Sequence, residues 1–348
     1  MKTQRSLALL TRQFVFVTLL CGLSSAVLSG TAQQPYRVLD LWKIGGEGGW
    51  DYLVMDSPVH RLYITRADRV DVVDTRNGKI IGTIGGLQGT HAVALDTAGK
   101  FGYISNGREN SVVVFDRTSL ATLATIPVGS SPDAIIFEPA TQSVWAFNGR
   151  SMNVSVIDAV TQKVVATIYL DGKPESAVAD GQGVIFTNIE DRNEIERLDA
   201  HSKTVTANWP LKGCESLSGL AFDVTGHRLF SACEGKKMSV VDSNTGRTLA
   251  NPAIGDRPDA AGWSAKHKLA FASCGEGVLS VVDAGAADYK TIETLPTQRG
   301  ARTMAYDPAT DRIYLVTAEI LRPERTAETP SPRSTMVPGS FTVIVVGR

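Results

Sequence analysis

The chain is poor in several things, and each shortage removes a class of protein. Four cysteines among 348 residues are too few for a disulfide-dense scaffold. No CxxCH is present, which excludes covalent haem. Neither sign of charge prevails: 35 Lys and Arg stand against 36 Asp and Glu, a formal net charge of −1. There is thus no global field to recruit nucleic acid or an anionic membrane, and no basic stripe with interleaved aromatics, so a nucleic-acid partner is not expected. Amphipathic helical periodicity is missing over any useful length. Beyond the N-terminus no long apolar run exists, so no transmembrane anchor is expected in the mature chain.

The N-terminus is the exception. Residues 1–32 carry Lys2, Arg5 and Arg12 and no acid, then an apolar run from Phe14 to Leu28, then Gly30-Thr31-Ala32. This is the layout of a secretory signal peptide cleaved after Ala32. Its removal leaves 32 of the 35 basic residues against 36 acidic ones, a net charge of −4, and three cysteines: Cys214, Cys233 and Cys274. The expected address is periplasmic or extracellular, an oxidising compartment.

What fills the rest is a repeat. Short apolar runs ending in Asp (DVVD, VVVFD, VSVID, IERLD, MSVVD, LSVVD) close at Asp74, Asp116, Asp158, Asp199, Asp242 and Asp283. A second series closes at Asp56, Asp96, Glu138, Asp180, Asp223, Ser264 and Asp307. Both recur about every 42 residues, and each unit holds four β-type runs separated by Gly, Asn, Asp and Pro. The expectation is an all-β, seven-bladed β-propeller of four-stranded antiparallel blades spanning 33–348. Its seventh unit lacks a fourth strand, and the N-terminal stretch YRVLDLWKIGG supplies it. A Pro/Ser/Thr-rich insertion at about 320–340 interrupts that last unit, and its Arg322, Arg325 and Arg333 make it a candidate lid. Nothing in the pattern requires more than a monomer.

The segments YITRADRVDVVDTRNGKIIGTI, YISNGRENSVVVFDRTSLATLATIPVGSSPDAIIFEP and VSVIDAVTQKVVATIYLDGKPESAVAD resemble the YVTN-repeat β-propellers, including YncE-like exported bacterial proteins. The resemblance implies fold and export more than activity. Related seven-bladed propellers include lactonases and lyases. Blade four and the blade-seven insertion depart from the pattern.

In a propeller the loops entering the inner strands share one face with the loops between second and third strands. Five residues before each inner-strand landmark stand Asp51, His91, Asp133, Glu175, Ser218, Asp259 and Arg302. They form a polar ring at the channel mouth, where an unknown small molecule or protein would bind. Carboxylates with a His suit a divalent cation, Ca²⁺, Mg²⁺ or Mn²⁺, with Asp133, Glu175 and Asp259 as candidate ligands. Close carboxylates also push one another's pKa apart, as acid–base work needs. The enzymatic alternative gives His91 the proton and Arg302 the developing negative charge. A second, ragged ring comprises Arg66, Arg108 and Arg150 on one side and Glu190, Glu234, Glu276 and Glu319 on the other. It suits a zwitterionic or peptide-like ligand or a partner of complementary charge. His60, His201, His227 and His267 fall on the opposite face. Asn106, Asn148 and Asn188 are expected to shape turns. Cys214 and Cys233 are placed to form a disulfide, leaving Cys274 free.

Overall fold

The computed structural model describes residues 34–321 and 335–348. The signal-peptide expectation and Arg322, Arg325 and Arg333 of the insertion lie outside those residues. Pro35–Arg348 forms one compact unit of seven four-stranded antiparallel sheets.

The landmark aspartates have a local cause. Asp116 Oδ1 accepts the amides of Thr118 and Ser119, and Asp158 Oδ1 those of Val160 and Thr161. Asp242 accepts from Asn244 and Thr245 in the same way. An Asp side chain that bonds the backbone two and three residues on builds the turn from the third to the outer strand. At Asp116, Asp158 and Asp199 these amide bonds hold the carboxyl below its ordinary range. The second series does the same for the preceding turn: Asp96 accepts the Lys100 amide and Asp223 that of Gly226. The second and third strands between these turns are almost wholly buried, for example Ser143–Asn148 and Asn153–Asp158. The outer strands are largely exposed or half-buried, as in Lys163–Tyr169 and Thr204–Pro210.

The N-terminal strand Arg37–Lys43 pairs antiparallel with Thr342–Gly347 and completes the last blade as its outermost strand. It behaves as any outer strand does. Trp42 packs over Gly78 of blade one just as Trp209, on the outer strand of blade four, packs over Gly246 of blade five. At both glycines a Cβ would overlap the indole, and φ is positive, so both turns need glycine. Tyr36 locks the closure. Its hydroxyl donates to Asp311 Oδ1 at 3.1 Å, and its amide donates to Glu293 Oε2 of blade six at 3.2 Å. Its ring stands edge-on to Phe271, 5.4 Å between centroids.

The insertion leaves the ring as a short ribbon, Ile320–Leu321 paired with Thr335–Met336.

Closure through Tyr36 yields a prediction. Tyr36→Ala, at a site only 2% exposed, should lower the unfolding free energy in urea by about 3–5 kcal/mol, while Tyr36→Phe should lose about 1 kcal/mol. An alanine variant as stable as the wild type would show that the ring closes without this tether.

Candidate functional site

Six of the seven mouth residues sit where the inner strand breaks register. The pairing of inner and second strands slips between Trp50 and Leu53, Thr90 and Val93, and Pro132 and Ile135. It slips again between Pro174 and Ala177, Leu217 and Leu220, and Pro258 and Ala260. Asp51, His91, Asp133, Glu175, Ser218 and Asp259 lie within those slips. A bulge turns a strand and re-aims its side chain, here toward the channel. Arg302 stands two residues before its inner strand, Met304–Asp307.

A bulge frees backbone groups, and hydroxyls on the second strands take them up. Thr65 Oγ1 reaches the Tyr52 carbonyl at 3.0 Å and, in the next blade, that of His91 at 2.8 Å. Ser105 Oγ accepts the Ala92 amide, and Thr187 Oγ1 donates to the Ser176 carbonyl. Ser273 Oγ donates to the Arg302 carbonyl. The ring is therefore fastened blade to blade.

The ring side chains fall into three groups. His91 Nδ1 is 2.7 Å from Asp51 Oδ2 and 3.6 Å from Asp133 Oδ1. Asp51, His91 and Asp133 each offer a ligand atom within 4.8 Å of the others, spacing that a cation can use. Glu175 lies 3.3 Å from Lys173 Nζ, which also pairs closely with Glu190. Asp259 Oδ2 lies 3.3 Å from Arg302 Nε. The triad with ligand spacing thus shares only Asp133 with the expected Asp133, Glu175 and Asp259 set. Ser218 is occupied, since its hydroxyl faces the Pro258 carbonyl at 2.9 Å and the Ala232 carbonyl at 3.3 Å.

Tyr52 crosses the middle. Its hydroxyl reaches from blade one to the Glu175 carbonyl of blade four, 3.4 Å away. The residues after the other ring positions are small (Ala92, Ala134, Ser176, Gly219, Ala260, Thr303), which leaves room for the phenol. Tyr52 also lines a cavity of about 180 Å³ with Ala92, Ala134, Ile135, Leu220 and Met304. Burial raises its pKa, as do the charges of Glu175, Asp133, Asp51 and Asp259.

Three carboxyls are destabilised as anions. Burial pushes Asp133 up to about 6, with His91 pulling it down and Asp51 raising it. Burial, then Asp133, pushes Glu175 up to about 8 although Lys173 opposes the shift. Burial pushes Asp259 up to about 6 against Arg302. Burial pushes His91 down, but its bond to Asp51 and the charge of Asp133 outweigh this and raise it.

Other expectations are met differently. Arg66 is not at the mouth: it is fully buried, lies 3.7 Å over the Phe341 ring, and pairs with Asp71. Its guanidinium donates to the carbonyls of Gly45, Glu47, Gly48 and Gly49, so it shapes the loop entering blade one. Arg108 and Arg150 are exposed on their loops and, among the described residues, make no ion pair with the inner ring. Asn106, Asn148 and Asn188 are buried and tie loops together; Asn188 Nδ2 donates to the Ser218 carbonyl at 2.8 Å. Cys214 and Cys233 are joined, Cα atoms 5.4 Å apart, and Cys274 is buried, its thiol pushed up to about 12 by burial. Tyr52 and Lys173 were not anticipated. The signal for Tyr52 was one large residue in a periodic position otherwise held by small ones.

No family model matches the chain, and no curated protein matches it. Among solved structures it is similar to Kuenenia stuttgartiensis hydrazine synthase, at 16% identity and a TM-score of 0.70, covering 89% of this chain and 99% of that one. At that identity the likeness shows the fold alone.

The raised carboxyl pKa values fix a pH dependence. The folded ring holds protons that the unfolded chain releases, so this contribution is complete below about pH 4 and is lost as pH rises through about 6 and 8. Asp133→Asn and Glu175→Gln should therefore raise the melting temperature at pH 8 by about 1–3 °C each, with little gain near pH 4.5. Calorimetry at the two pH values measures it, and a gain independent of pH would contradict the assignment.

Proposed function

We propose that the protein is an exported binding propeller of the YVTN-repeat type, whose channel mouth receives a ligand bearing a cationic group. The observation that carries this reading is the concentration of four carboxylates, Asp51, Asp133, Glu175 and Asp259, around Tyr52, three of them (Asp133, Glu175 and Asp259) disfavoured as anions by burial. Groups arranged against stability and facing a channel are characteristic of a site. An ammonium group would offset the charge that burial disfavours on Asp133, Glu175 and Asp259. Arg302 and Lys173, beside Asp259 and Glu175, suit an anionic end of the same ligand, so a zwitterion or a peptide terminus fits best. The Cys214–Cys233 bond supports an oxidising address. Among the described residues no Ser, Thr or Cys side chain bonds the His91 ring, and Ser218 is engaged by carbonyls.

Thermal-shift screening of amines, amino acids, short peptides and organic anions tests the reading. Stabilising compounds should carry an ammonium group, and their effect should shrink at least tenfold in apparent affinity from pH 8 to pH 5.5 as the ring protonates. Hits confined to anions would refute it.

The Asp51–His91 hydrogen bond favours one second reading, a lactonase- or lyase-like activity. There His91 exchanges the proton, Asp133 with Asp51 holds a divalent cation, and Arg302 faces developing negative charge. Lactone turnover that depends on Ca²⁺, Mg²⁺ or Mn²⁺ and is lost in His91→Gln would establish it; absence of turnover across a lactone panel with added metal would exclude it.

A further inference from the structure

Blade four carries a second group of acids, away from the ring. Asp171 lies in the loop entering that blade, and Glu194 and Glu196 lie on its third strand, Glu194–Asp199. One ligand atom from each lies within 4.8 Å of the others. That is the widest separation two oxygens can have on one ion with bonds of about 2.4 Å.

Comparison of the blades shows what is unusual. At the position of Glu196 the other complete blades have Asp71, Val113, Ser155, Ser239 and Ser280. Ser155 Oγ accepts the Gly129 amide at 3.1 Å, and Ser280 Oγ accepts the Gly255 amide at 3.0 Å, each pinning the loop that enters its own blade. Glu196 Oε1 does the same for the Asp171 amide at 2.7 Å. A hydroxyl suffices for that task. The glutamate adds a second oxygen, and Glu196 Oε2 is buried without a hydrogen-bond partner in a residue with no exposed surface.

A buried carboxylate oxygen left unpaired is costly, and natural structures satisfy such groups. Blade one meets the same need with arginines: Asp71 is 3.3 Å from Arg66 and 3.1 Å from Arg69. Blade four does not. Arg192 Nε donates to the Asp171 carbonyl, and Arg197 is turned toward Thr206 Oγ1. Among the described residues no Lys, Arg or His lies within ion-pair distance of the three carboxylates. Burial pushes Glu196 up to about 7, and burial with Asp171 raises Glu194.

We propose that Asp171, Glu194 and Glu196 bind one hard divalent cation, which satisfies the orphaned Glu196 oxygen and locks the blade-four entry loop to the blade's third strand. Asp171 is exposed, so the ion has a path in and room for water ligands. Asn208 Nδ2 donates to Asp171 Oδ2 and holds that carboxylate in place. Oxygen-only ligation with an open side suits Ca²⁺ better than Mg²⁺, which demands a near-ideal octahedron. The site shares no residue with the mouth and does not rest on its proposed ligand.

The test is thermal unfolding of the full-length chelator-treated protein at neutral pH, with and without about 1 mM Ca²⁺ or Mg²⁺, the weak end of extracellular calcium affinity. Ca²⁺ should raise the melting temperature of the wild type, with a smaller rise in Mg²⁺. Glu194→Gln should abolish the rise. Glu196→Gln keeps an oxygen for the Asp171 amide, so it should fold, melt higher than the cation-free wild type, and gain nothing from Ca²⁺. Asp133→Asn at the mouth should retain the full rise. No cation-dependent rise in the wild type would overturn the proposal, as would a rise that survives Glu194→Gln or vanishes in Asp133→Asn.

Discussion

A ring of sheets has no interior until its last sheet meets its first. Here that closure is made by a strand from the other end of the chain. Arg37–Lys43 directly precedes blade one in sequence, yet it pairs with Thr342–Gly347 as the outer strand of blade seven, pinned by Tyr36 to Asp311 and Glu293. Only then do the inner strands converge, and only then do isolated acids become a cluster. The carboxylates of Asp51 and Glu175 belong to blades three apart, yet both charges act on Tyr52. The mouth is a product of closure, not of any one blade.

Given closure, the inner-strand bulge decides what the mouth presents. An unbroken strand would alternate side chains between its two faces. In six blades the slip re-aims the ring residue, and a hydroxyl from the second strand absorbs the displaced backbone group, as Thr65 does for Tyr52 and His91. The scaffold is thus separated from the side chain it displays. That separation lets one repeat carry Asp, His, Glu, Ser or Arg at the same place. It also lets the ring hold carboxyls that burial disfavours, because the blades are stabilised by their buried second and third strands.

Much of this was legible in the sequence because its causes are local. The repeated Asp residues mark turns that they build with their own side chains, so their period gives blade number and strand order. The ring was legible for the same reason, since the bulge keeps a fixed distance from the landmark. Partners from other blades were not. Arg66 has the spacing of a mouth residue, but Phe341 and the carbonyls of Gly45–Gly49 hold it inside. Lys173 was missed because its role depends on Glu190 across the blade, and Tyr52 because its hydroxyl is used on the far side of the channel. Glu196 reads as one more acid in an irregular blade until its buried oxygen is seen.

The central claim is that closure buries the mouth carboxyls of Asp133, Glu175 and Asp259 deeply enough to raise their pKa values toward neutrality. The direct measurement is carboxyl-carbon NMR titration of the intact protein, with Asp133→Asn and Glu175→Gln used to assign the resonances. The account predicts a Glu175 midpoint near 8 and Asp133 and Asp259 midpoints near 6. Midpoints at about 4 for all three, the ordinary value for a solvated carboxyl, would contradict it.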